Sequence, residues 1–76
     1  MQRLGTVVNT AQNLVVVRAP ESASPSIGTV VIDESLDDVG RIVDVFGPVD
    51  RPYVAVDPRS DTQVVGLLGT TVYARP

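Results

Sequence analysis

Valine fills sixteen of the 76 positions, and it comes in short runs: "VV" at 7–8, "VVV" at 15–17 and "VV" at 30–31, then interleaved with other residues through 39–45 and 54–56. Two methyl groups on Cβ hold the first side-chain torsion in one well, which disfavours helix and suits a pleated surface. Glycine, proline and polar clusters break these runs at roughly ten-residue spacing, the rhythm of an all-β sandwich or barrel.

Six strands are predicted, over residues 3–9, 13–19, 28–33, 39–46, 53–57 and 70–74. A polar bridge at Thr10 to Gln12 joins the first two as a hairpin. "PESASPS" at 20–26 is a loop, and "ESLDD" at 34–38 is a polar turn, or a single helical turn, with Leu36 as its apolar anchor. Residues 58–62 form another polar loop, and "VVGLLG" at 64–69 is open between a turn and an extra short strand. The expected architecture is all-β: one domain over 1–76, a small six-stranded closed or split β-barrel. Closure would also remove the sheet edges through which a valine-rich chain could aggregate.

A chain of this size buries only about 60% of the surface it exposes when unfolded. It has no cysteine for disulfides or thiolate metal sites, so its stability must come from packing, partly against a partner if need be. Alternation in the fourth strand bears on this. Val39, Arg41, Val43 and Val45 fall on one side, and Ile42, Asp44 and Phe46 on the other. In the fifth strand Val54 and Val56 share a face opposite Tyr53 and Ala55. A half-buried strand should show one apolar face. Either the outer face is covered by another molecule, or a β-bulge returns these residues to one core.

The inventory for catalysis is thin, because histidine, cysteine and lysine are all absent. The hydroxyl residues lie in polar loops with no base evident beside them. Asp33 with Glu34, and Asp37 with Asp38, could act as an acid–base pair or hold a hard cation. Adjacent acids in a turn more commonly cap that turn, and the calcium-loop spacing is missing. No glycine-rich phosphate cradle precedes a helix. A non-enzymatic role is expected, with no cofactor, no metal and no small-molecule substrate.

All six cations are arginine, seven of the nine acids are aspartate, and the net charge is −3. Nucleic-acid binding domains usually carry a basic footprint, so any role near RNA is expected to run through a protein partner. Acidic, lysine-free composition also fits a salt-adapted surface. No apolar run reaches the roughly 18 residues that span a bilayer, and "MQRLGTVVNT" has no secretory pattern, which points to a cytoplasmic protein.

The segment "RIVDVFGPVDRPYVAVDP" at 41–58 puts apolar side chains around a connection, where loops are normally polar. Gly47 can take positive φ, and Pro48 and Pro52 each fix φ near −65° and remove a donor. A rigid loop that displays apolar groups loses little entropy when a partner docks. Phe46, Gly47, Pro48, Val49, Pro52 and Tyr53 are therefore the candidate partner-binding residues. Pro48, Val49, Pro52 and Tyr53 are expected to face outward, and Phe46 is open between a plug for the barrel end and a docking anchor.

The run "GTVVIDESLDDVGRIVDVFGPVDRPYVAVDP" resembles the GAR/Naf family, the small β-barrel subunit of H/ACA ribonucleoproteins, in its short archaeal form. The matching positions are Gly28, Asp33, Leu36, Val39, Gly40, Asp44, Phe46, Gly47, Pro48, Val49, Pro52 and Tyr53, and "RLGTVVNTAQNLVVVRA" and "GTTVYA" fit as well. The resemblance implies a barrel of the translation-factor and reductase type. It implies direct docking on the catalytic domain of a dyskerin-type pseudouridine synthase, with guide RNA and substrate rRNA contacted only indirectly. It also implies help with substrate loading and product release through the synthase's thumb loop, with the catalytic aspartate on the synthase. The glycine–arginine-rich tails of eukaryotic members have no counterpart here. A Naf-type assembly factor and a small-barrel adaptor of the PRC or ribosome-maturation type are the alternatives.

Overall fold

The computed structural model describes residues 2–11, 13–20, 25–48, 50–62 and 64–75. Six strands, β1 (Gln2–Ala11), β2 (Leu14–Arg18), β3 (Val30–Ile32), β4 (Asp38–Phe46), β5 (Tyr53–Pro58) and β6 (Thr71–Ala74), close into an antiparallel barrel in the order β1-β2-β5-β4-β3-β6. All six lie where the valine pattern predicts them, except that β1 runs on through Thr10 and Ala11, expected in the bridge, which pair with Val15 and Leu14 of β2. The "VVGLLG" stretch forms a 3-10 turn over Val64–Leu67, neither a plain turn nor a strand. The core contact of Leu67 and the bonds of Thr70, whose amide and hydroxyl both donate to the Leu67 carbonyl at 2.9 and 2.6 Å, hold that turn in place. Of the 20–26 loop, residues 21–24 lie outside the described residues.

A barrel this narrow requires its two long strands to bend sharply, and each carries two bulges. In β1 the register shifts past Leu4 against β6 and past Val8 against β2. In β4 it shifts past Val39 against β3 and past Val43 against β5. Each bulge adds a residue to one strand only and so resets the inside–outside alternation. The inward residues of these strands consequently recur every third position: Leu4 and Val7 in β1, and Val39, Ile42 and half-buried Val45 in β4. The short β2 and β5 carry no bulge of their own, and Val15, Val17, Val54 and Val56 are fully buried, with Ala55 buried between the last two.

The bulges at Val39 and Val43 together decide the question raised by the two-sided pattern of β4. They gather Val39, Ile42 and Val45 onto the single core and leave Val43 and Phe46 outside, 44% and 45% exposed.

Gly40 shows how closely the strands approach. A Cβ there would overlap the Asp57 carbonyl oxygen of the neighbouring β5. Gly40→Ala is expected to force β4 and β5 apart and to cost about 1–3 kcal/mol, read as a lower thermal midpoint.

Candidate partner-docking site

The corner between β4 and β5 is built by backbone chemistry before any side chain is considered. β4 ends at Phe46, and Gly47 follows with φ of 90°, a conformation that L-residues avoid. An added Cβ at Gly47 would stand 2.9 Å from Tyr53 Cδ2, so the glycine also makes room for the tyrosine ring. The Arg51 amide donates to the Pro48 carbonyl at 3.3 Å, forming a turn. The Ala19 amide donates to the Pro52 carbonyl at 3.0 Å and ties the corner to the end of β2.

Register then places the aromatics together. Phe46 is the cross-strand partner of Tyr53, and their rings stack with centroids 5.6 Å apart and planes 23° from parallel. Offset aromatic pairs of this kind contribute about 0.5–1.5 kcal/mol beyond area burial. The pair is nevertheless not in the core. Phe46 is nearly half exposed and Tyr53 is half-buried, so Phe46 is no barrel plug. From outside the strands the core is completed by Ala19 and Leu67, with Val64 packed against it. Pro48 is exposed and Pro52 half-buried, both beside the stacked rings in sequence, whereas Val49 lies outside the described residues. The structure thus brings Phe46, Gly47, Pro52 and Tyr53 together at one rigid corner.

Two neighbours of this corner escaped the sequence reading. Val43 is turned outward by its bulge, on the same side of β4 as Phe46. Arg18 is the cross-strand partner of Tyr53 on its other side. Neither position carries a local signal, because both depend on register between strands distant in sequence.

The acidic turn is a structural device. Asp33 Oδ1 accepts from the amides of Ser35 and Asp37 at 2.8 and 3.0 Å, capping the turn. Leu36 is no apolar anchor: it sits at φ 69° and is 61% exposed, because the Asp33 cap, not burial, sets the turn. Asp38, half-buried, and Asp61, exposed, lie 3.7 and 3.5 Å from the Arg59 guanidinium. Among the described residues no three carboxylates are grouped closely enough to hold a metal ion.

The described residues thus form a closed antiparallel barrel with a stacked aromatic pair at its glycine–proline corner. The family model described as the Gar1/Naf1 RNA binding region matches residues 1–76. The chain therefore belongs to the Gar1/Naf1 family, whose domain is described as an RNA binding region and is related to H/ACA ribonucleoprotein assembly factors. The chain is similar in fold to a solved structure described as the Gar1 domain of Naf1, with a TM-score of 0.74 and 16% identity over 97% of this chain and 85% of that one. No curated protein shows significant sequence similarity to it. The family description names RNA, which goes beyond the purely indirect RNA role expected from net charge.

Proposed function

We propose that this chain is the non-catalytic barrel subunit of an H/ACA guide-RNA pseudouridylation particle. Its corner at residues 46–53 docks on the catalytic domain of a dyskerin-type pseudouridine synthase and assists loading of substrate RNA and release of product during rRNA modification. The observation that carries this reading is the Phe46–Tyr53 stack, held outside the core on a glycine–proline corner. A half-exposed aromatic pair on a rigid support has the character of an interface hot spot. The acidic, lysine-free surface supports an apolar rather than an ionic grip, since exposed ion pairs contribute about 0–1 kcal/mol and are screened by salt.

The direct test is reconstitution. Leaving this chain out of a particle with guide RNA and synthase should slow multiple-turnover pseudouridine formation while leaving guide-RNA binding intact, because release steps limit turnover in many enzymes. Unchanged turnover would defeat the proposal. The family takes in both Gar1-type and Naf1-type domains, which leaves an assembly role as the second reading. Recovery of the chain with active particles supports the first. Recovery only with synthase that lacks guide RNA supports the second.

A further inference from the structure

The six arginines are scattered along the sequence, yet three of them meet in space. Arg3 in β1, Arg18 at the end of β2 and Arg51 in the corner loop line one shallow cleft of about 220 Å³, together with Thr6. None of the three forms an ion pair among the described residues, whereas Arg59 is engaged with two aspartates. No carboxylate among the described residues lines the cleft. Asp50 precedes Arg51 in sequence, and Glu21 follows Pro20 in sequence but lies outside the described residues.

We infer that this cleft is a contact site for the phosphodiester backbone of single-stranded RNA. Guanidinium groups present planar, always-charged forks that match phosphate oxygens. Three such groups gathered from separate segments supply on a net-acidic chain what its overall charge does not. An acidic protein segment would need its own carboxylates clustered to match them, while a nucleic-acid strand provides regularly spaced charge throughout. The inference rests on membership of an RNA-binding-region family and not on the docking partner.

The contact is modest by design. Neutralising three phosphates of a single strand gives a log–log salt slope of roughly −2 (about −0.7 per contact), far shallower than that of a free-standing RNA-binding protein. It therefore steers RNA that another component already holds. Arg18 is in register with Tyr53, and Arg51 belongs to the 46–53 loop, so the cleft borders the docking corner. RNA in the cleft would run along the rim of the docked partner.

The test is fluorescence anisotropy of the whole chain with a labelled oligouridine of about twelve nucleotides, beginning near about 20 mM salt. Two triple variants of identical net charge are compared: Arg3→Gln/Arg18→Gln/Arg51→Gln, and Arg41→Gln/Arg59→Gln/Arg75→Gln. The first should bind about tenfold more weakly or worse and lose its salt slope, while the second stays within about twofold of the parent. Equal losses in both would reduce the effect to net charge and overturn the site, as would no measurable binding by the parent. A polyglutamate peptide that binds more tightly than the oligouridine with the same arginine dependence would reassign the cleft to an acidic protein segment. Capture of the synthase by the first variant is measured in parallel, so that failure of the RNA site is distinguishable from failure of the docking assignment.

Discussion

Ile42→Ala is expected to remove a large part of this domain's stability, while Val43→Ala, one residue along, leaves it almost unchanged. Ile42 is 1% exposed and among the largest fully buried side chains in the barrel. Truncating such a residue costs roughly 2–5 kcal/mol through lost transfer energy and the cavity left behind. A 76-residue domain has about 4–11 kcal/mol in total at the usual stability per residue. A loss of about 3 kcal/mol lowers the thermal midpoint of a domain this small by roughly 12–24 °C. Val43 occupies the bulge and points outward, so its truncation belongs with surface changes of about 0.5 kcal/mol or less. Thermal unfolding followed by circular dichroism separates the two. The reverse order, with Val43→Ala the more destabilising, would remove the bulge and return β4 to strict alternation from Val39.

The second large effect concerns docking. Phe46→Asp puts a carboxylate where the proposed interface is apolar and removes the partner of the Tyr53 ring. Aromatic hot spots contribute about 2 kcal/mol or more, which corresponds to roughly a 30-fold loss in affinity or greater. Because Phe46 is nearly half exposed, the barrel should stay folded, at the cost of the stacking term alone. Tyr53→Asp should act in the same direction on capture of the synthase, with a larger effect on stability because Tyr53 is half-buried. If either variant unfolds the chain, its residue belongs to the core. If both keep the fold and full synthase binding, the corner is not the docking site.

The number and placement of strands were readable because valine clustering and the breaks between clusters are both local. The faces of β4 were not. Two bulges within nine residues turn a period of two into a spacing of three, and strand alternation read from Val39 onward then assigns Ile42 and Val43 to the wrong sides. A bulge is fixed by the demands of closing the barrel, to which the neighbouring strands contribute as much as β4 itself. Leu36 misled for a different reason. A lone leucine in a polar turn looks like an anchor, but two amides bonded to Asp33 already specify that turn. The corner at 46–53 was legible in composition, since glycine and two prolines announce rigidity. The outward stacking of Phe46 was not, because it depends on pairing with Tyr53 across the hairpin. The arginine cleft was invisible in the same way: residues 3, 18 and 51 meet only once β1, β2 and the corner loop are assembled.

Titration calorimetry of the intact chain against the pseudouridine synthase, at low and at about 1 M salt, measures whether the apolar corner grips it. An apolar grip predicts a saturable complex with a negative heat-capacity change, an affinity within about tenfold across that salt range, and loss of binding on Phe46→Asp. No binding to the synthase at either salt would contradict it, as would an affinity that collapses with salt and ignores Phe46.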